Sequence, residues 1–360
     1  MAVAPIRYNT GPTGSDTENL LLKMYLGSYV EAPRASTFFL NNPTIYRTTP
    51  NAGKSFQFLM DADTPAPEEY EPGNDLLGQA YGRAEGTLTT DRVLVAHAWV
   101  SEEDMEKDHA QILGRLGPKH AAAMDRLLDQ RALRTGLLGA RQSALTHTNT
   151  GLNVHMGGTR VYRNGGSGNT THVTNVAAAY PATSGGFDNL TSDFRTMYQT
   201  LIEKNLDGNS FTFYCTPHIR TVLQNGGVNL YSADYVGTMN QLQTRQLNTF
   251  EGFRFGGVIT LDSTGSITSG GPWPTTNITS GPTKYQGNFL PQASDGSPAV
   301  LFVANAGNEH YGVGMVEFRA PTQRVLHVPE RMGYLVYTFA MLGFGVMHPW
   351  CLGSLETRAV

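Results

Sequence analysis

The residues with chemistry to offer are the histidines, the cysteines and a few carboxylate clusters, and their spacing decides what they can do. Cys215 and His218 stand three positions apart, but no second His or Cys pair accompanies them, and a zinc site wants four ligands. His109 and His120 are separated by the interruption Gly117-Pro118, so they do not form a metal pair either. Gly53-Lys54-Ser55 ends like a phosphate-binding loop. That loop needs a glycine five residues before Gly53, where Thr48 stands, and it must join a strand to a helix. No Gly-x-Ser-x-Gly elbow presents a nucleophile, and Glu102-Glu103 read as helix-start carboxylates. Asp234, Asp262 and Asp295 are loop acids with no evident partner. Neither catalysis, nor a cofactor, nor a metal is expected.

Two sets of charges remain. Asp61 to Asp75 carries Asp61, Asp63, Glu68, Glu69, Glu71 and Asp75 with no lysine or arginine among them. Farther on, Arg126, Arg131, Arg134 and Arg141 recur along one segment. Opposite charges in separate segments can pair across a surface, within one chain or between copies.

The elements that carry these charges follow from periodicity. Ser55 to Met60 and Tyr81 to Thr90 read as strands flanking the acidic run, whose prolines Pro65, Pro67 and Pro72 stiffen a projecting tip. Arg92 to Val100 is a further strand. Ser101-Glu102-Glu103-Asp104 then opens a long helical segment in the manner of a capping box. Gly117-Pro118 is expected to break that helix, which restarts at Lys119 with Ala121, Met124, Leu128, Ala132 and Leu137 on an apolar stripe and the arginines on a polar side.

Upstream of the hairpin, Met1 to Asp16 reads as a loose arm, Glu18 to Tyr29 as a short helix and Phe38 to Thr49 as extended. Downstream, Thr146 to Gly186 reads as loop or irregular strand. Ser192 to Asn205 is an amphipathic helix with Phe194, Met197, Tyr198, Leu201 and Ile202 on one face, and Ser210 to Cys215 a buried strand. Thr216-Pro217 starts another helix. Thr249 to Asp262 reads as a strand pair turning near Gly256-Gly257, and Ser263 to Pro298 as a long loop or insertion. Pro298 to Ala306, Gly312 to Arg319, Val325 to Val328 and Met332 to Met347 complete the strands.

Composition narrows the function classes. A chain of 360 residues buries a sizeable core in two lobes. With 16% charged residues and a net charge of -4, it does not bind nucleic acid through a basic face. Cys215 and Cys351 read as buried reduced thiols. Met1 to Asp16 lacks the pattern of a signal peptide, and the apolar stretch Tyr334 to Cys351 is broken by Gly343, Gly345, His348 and Pro349 short of a membrane span. The glycosylation patterns at Asn169, Asn189 and Asn277 read as chance.

The order of arm, acidic hairpin, long helix, α/β lobe and late strand return resembles the major capsid proteins of tailed phages with the Hong Kong 97 fold. Several stretches look closer to the capsid proteins of short-tailed, autographivirus-like phages. They are Gly53 to Phe58, Pro72 to Asp75, Asp91 to Asp108, Phe213 to Pro217, Gly252-Phe253 and Tyr337 to Gly345. The loops Thr146 to Gly186 and Ser263 to Pro298 are longer than in those relatives.

The resemblance implies an α+β, Hong Kong 97-type phage capsid fold. Residues 1–36 would be an N-terminal arm and 37–100 the extended hairpin loop with peripheral-domain strands. Residues 101–159 would hold the spine helix of the peripheral domain, 160–310 the axial domain, and 311–360 peripheral-domain strands and the C-terminus. It implies a major capsid protein that self-assembles as hexamers and pentamers into an icosahedral shell around double-stranded DNA, located in the virion and, during assembly, the host cytoplasm. Partners would be other copies, a scaffolding protein, the portal protein, a decoration protein and nonspecifically packaged DNA, with no membrane. Glu68, Glu69 and Glu71 would meet Arg126, Arg131 or Arg134 of an adjacent subunit; at roughly 0–1 kcal/mol per exposed pair, such contacts set register more than stability. Some members of the fold cross-link lysine to asparagine; Lys54 lies in the arm with no assignable partner, so no cross-link is expected. An encapsulin-like shell protein and a β-rich phage tail or binding protein are the alternatives, with a hydrolase a distant third.

Overall fold

The apolar run near the end of the sequence becomes two long antiparallel strands, β14 (Val313–Val328) and β15 (Gly333–Val346), in register from Val313↔Val346 to Val328↔Gly333. The computed structural model describes residues 45–49, 55–61, 67, 69, 78, 82–106, 112–148, 151–163, 176–204, 206, 211–225, 249–262, 273–279, 281–290, 296–304 and 311–357. The arm and helix expected before Ile45 lie outside them. Val325 to Val328 is the end of β14, not a strand of its own. β1 (Ile45–Thr48) pairs parallel with β14, and β4 (Leu94–Ser101) pairs antiparallel with β15, giving a four-stranded sheet in the order β1-β14-β15-β4. Apart from it, β2 (Ser55–Asp61) and β3 (Arg83–Thr89) form a two-stranded hairpin, as the sequence led us to expect.

Helix α1 (Glu102–Glu106) follows β4 directly, and the spine helix α2 runs from Ile112 to Ala140. Gly117-Pro118 does not break it. Pro118 sits inside the helix on an exposed position, and Gly117 lacks the Cβ that a proline's ring normally clashes with in the preceding residue. Met124, Leu128, Ala132, Leu133 and Leu137 bury against Ile45, Met315, Ala340, Leu342 and Phe344 of the four-stranded sheet. The expected polar side is also covered: Trp273, Ile278, Tyr285 and Phe289 join the same core from the opposite direction. The Ser263 to Pro298 stretch is therefore, in its described part, a second wall for the helix and not a surface insertion. A helix enclosed on both sides explains why Asp129, Gln130, Arg131, Arg134 and Thr135 are all buried.

Beyond the spine come β5 (Leu145–Thr146), β6 (Asn153–His155) and β7 (Thr159–Arg163), short strands within the stretch expected as loop or irregular strand. Then follow α3 (Val176–Ala179), α4 (Ser184–Glu203), β8 (Phe211–Cys215), α5 (Pro217–Asn225), β9 (Thr249–Phe250) and β10 (Phe253–Val258). After β11 (Leu261–Asp262) and β12 (Trp273–Pro274) the chain returns through β13 (Ser297–Ala304) and finishes in β16 (Leu352–Thr357). The second sheet has six strands in the order β7-β16-β13-β8-β10-β9. Strand β16 thus joins this sheet, whereas its sequence neighbours β14 and β15 lie in the first.

Helix α4 starts eight residues earlier than its apolar face suggested, and packs Leu190, Phe194, Met197 and Leu201 on the second sheet; Ile202 is turned to solvent. The β9–β10 turn falls at Glu251-Gly252, both with positive φ (46° and 84°), as a two-residue hairpin requires. Gly256-Gly257 instead forms a bulge against β8, where a Cβ on Gly256 would come within 2.7 Å of Thr212.

Candidate assembly elements

The hairpin is fixed at one end. Strands β2 and β3 pair from Ser55↔Thr89 to Asp61↔Arg83, and their burial alternates as a two-sided ribbon demands. Near the body, Leu88 is buried with Val316 and Met347, and Phe56 and Phe58 are partly covered beside Tyr46 and Tyr311. Gly86 lies under the Phe58 ring, close enough that any Cβ there would collide with it. Toward the tip the cover ends: Leu59 is 67% exposed. Glu69 is exposed, while Glu68 and Glu71 lie outside the described residues.

Where the hairpin rejoins the body, one carboxylate gathers three donors. Asp91 sits between β3 and β4 with a buried side chain. Arg131 Nη1 of the spine helix donates to Oδ2 at 2.7 Å, and Tyr285 Oη donates to the same oxygen at 2.7 Å. Lys284 Nζ pairs with Oδ1 at 2.7 Å and also donates to the Thr89 carbonyl at 2.9 Å. The Asp91 amide donates to Leu342 O, and the Phe344 amide to Tyr285 Oη, so β15 is tied into the same knot. Burial, then the neighbouring Asp91 charge, pushes the Tyr285 phenol well above its ordinary range, so it stays a protonated donor.

The three candidate spine arginines differ in placement. Arg131 is spent on Asp91 inside its own subunit, under the control of a wall that sequence periodicity does not reveal. Arg134 is buried in the same enclosed turn, and Arg126 is only half-buried. Asp91, Lys284 and Tyr285 were assigned no role by sequence; with Arg131 they come together from three distant segments, and no spacing signals that.

A second node closes the far end of the spine helix. Glu356 of β16, with a fully buried side chain, accepts from Arg141 Nε at 3.0 Å, Arg160 Nη2 at 2.7 Å and Ser354 Oγ at 3.0 Å. Arg141 further donates to the carbonyls of Asn288 and Gly296 and lies over the Phe289 ring. In the core of the second sheet Tyr180 donates to Asp193 at 2.8 Å, with Arg163 beside it; burial raises the Asp193 carboxyl against both of these partners.

The face of the first sheet away from the spine helix is aromatic and partly open. Phe339 carries Arg319 and Arg324 over its ring at 4.7 and 5.5 Å, and Val95 and Leu326 are each about half exposed. Nothing here suggests covalent chemistry. Burial pushes the thiols of Cys215 and Cys351 up to about 12, which removes their nucleophilicity. His218 donates from Nε2 to the Tyr180 carbonyl. Among the described residues no group of three or more His, Cys, Asp or Glu could hold a metal, and no helix is long and apolar enough to cross a membrane.

No family model matches the chain, and no curated protein matches it in sequence. Solved structures do match. The capsid of the cyanophage P-SCSP1u superposes with a TM-score of 0.71 at 20% identity, covering 100% of both chains. A chain of the mature capsid of bacteriophage PhiM1 gives 0.71 at 12% identity, over 93% of this chain and 91% of that one. The capsid of the empty GTA particle gives 0.54 at 12% identity, over 93% and 96%. The fold is the α+β capsid fold of the Hong Kong 97 type along its whole length.

Proposed function

We propose that this chain is the major capsid protein of a tailed phage, of the short-tailed, autographivirus-like kind, and that it acts by assembly and not by catalysis. The observation that carries the reading is the end-to-end match to the cyanophage capsid chain, with neither chain leaving a lobe unmatched. The stretches Gly53 to Phe58, Pro72 to Asp75 and Phe213 to Pro217 support the short-tailed kind. Hexamers and pentamers close a shell around double-stranded DNA; each small contact between copies is repeated around rings, which makes weak interfaces sufficient. A scaffolding protein, the portal and a decoration protein are the partners in that process, and the virion is its destination.

The subunit divides into an arm (1–36), an extended loop with peripheral strands (37–100), a spine region (101–159), an axial lobe (160–310) and a returning segment (311–360) in this reading. The acidic tip, Glu68, Glu69 and Glu71, lands on an adjacent copy. Because Arg131 and Arg134 are enclosed in their own subunit, Arg126 is the spine arginine that we assign to that contact.

The test is expression with and without a scaffolding partner, followed by negative-stain electron microscopy. Closed uniform particles or ring-shaped capsomers are expected. A monomer or trimer under every condition overturns the reading.

A further inference from the structure

We propose that Asp91 is a positioning residue for assembly: its carboxylate fixes the angle at which the β2–β3 hairpin leaves the subunit body. The inference rests on the capsid reading above and deepens it.

The hairpin is a lever borne at its root, where Leu88, Phe56 and Phe58 meet the body. Seven paired residues at about 3.3 Å each make a ribbon roughly 23 Å long, before the tip is added. A tilt of about 10° at the root therefore moves the far end of the paired strands by about 4 Å, enough to lose a side-chain contact on another copy. A two-stranded ribbon has little rigidity of its own, so its direction is set where it meets the body.

That meeting point is built around one residue. Asp91 is the second residue after β3, and its carboxylate takes donors from the spine helix (Arg131) and from the wall segment (Lys284 and Tyr285). The donors approach both oxygens, so the group is held against rotation as well as translation. Lys284 also grips the Thr89 carbonyl at the end of β3, and β15 closes the remaining side. Gly343 shows how closely it does so: a Cβ there would lie 2.2 Å from the Thr89 carbonyl oxygen. Leu88, with Phe56 and Phe58, anchors the ribbon to the body by apolar contact, which resists withdrawal but tolerates rocking. The directional, charged contacts at Asp91 supply what Leu88 does not. Copies whose hairpins leave within one narrow range of angles meet neighbours within a narrow range of curvatures, and closed shells of one size need that.

The experiment has two readouts. Spin labels attached through Glu85→Cys on β3 and Ala122→Cys on the spine helix, both exposed sites, report the angle in the isolated subunit. The native thiols Cys215 and Cys351 are buried and do not compete. Asp91→Asn, which keeps the shape and removes the charge, is expected to broaden the inter-label distance distribution at least twofold. Under conditions in which the wild type closes, it is expected to give particles of mixed diameter or open sheets, with unchanged far-ultraviolet circular dichroism. A distribution as narrow as that of the wild type, or shells of the single wild-type diameter, overturns the proposal. If Asp91→Asn does not fold, Lys284→Met removes one donor and keeps the Arg131 pair, and the same two outcomes decide. If the wild type never forms shells, the capsid reading fails, and the distance measurement still judges the clamp.

Discussion

Arg141, the residue that follows the spine helix, and Glu356, in the last strand, hold each other at 3.0 Å although 215 positions separate them. The pair joins the end of the spine helix to β16, the second strand of the six-stranded sheet.

Removing that carboxylate leaves Arg141 and Arg160, both partly buried, without their counter-charge. Glu356→Gln is therefore expected to lower the unfolding free energy by about 3–5 kcal/mol. Urea denaturation followed by tryptophan fluorescence measures it, and a midpoint equal to wild type would show that water replaces the lost acceptor.

Phe194 occupies the centre of an aromatic cluster, with ring centroids of Phe250, Phe302, Phe213 and Phe253 at 4.9, 5.0, 5.1 and 5.6 Å. Phe194→Ala should destabilise the subunit by about 3–5 kcal/mol, because such a cavity cannot collapse around four other rings. Calorimetric unfolding checks this, and Phe194→Leu should lose distinctly less.

The thiols set an alkaline limit. Cys215 and Cys351 have their pKa raised from 9.0 to about 12 in the folded state. Below pH 9 both states hold the proton and the thiols leave stability unchanged with pH. Between 9 and 12 only the unfolded state gives the proton up, so stability falls as pH rises, by about 1.4 kcal/mol per pH unit for each thiol. Replacing both by alanine should flatten that decline, whatever its effect on absolute stability. At pH 8 a thiol reagent should label neither residue until denaturant is added.

Charge reversal of Glu68, Glu69 and Glu71 to lysine is expected to impair shell formation and leave the subunit's melting temperature within a degree or so, since exposed charges contribute roughly 0–1 kcal/mol each. Sedimentation of assembly products beside a thermal melt separates the two effects. Normal shells from the triple variant would remove the acidic tip from the interface.

Much of the fold was legible wherever a segment's own pattern decides its state. Phe211 to Cys215 is apolar at every position but Thr212 and is a fully buried strand, and the Phe194, Met197 and Leu201 stripe is the inner face of α4. The hairpin was legible because strand signals flank an acidic run too polar to bury. What escaped was decided elsewhere. Pro118 reads as a stop, yet the glycine before it and an open solvent side let the helix through. The arginine side of the spine reads as solvent-facing because nothing local announces Trp273, Tyr285 and Phe289 arriving from far along the chain. Asp91 and Glu356, the carboxylates around which charge is organised, have no periodic partner at all. Their counter-ions reach them only once the chain has folded.

The parallel pairing of β1 with β14, which sets Ile45 beside Val313, has a kinetic consequence. Closing two segments so remote along the chain is the kind of contact that makes folding slow. Until it happens, β14 presents a bare edge at Val313–Val316, the buried root of a sixteen-residue strand, and many copies made at once present the same edge to one another. Productive yield thus depends on how fast each molecule covers itself relative to how often it meets its siblings. Slowing synthesis or lowering temperature should favour soluble subunits over aggregates.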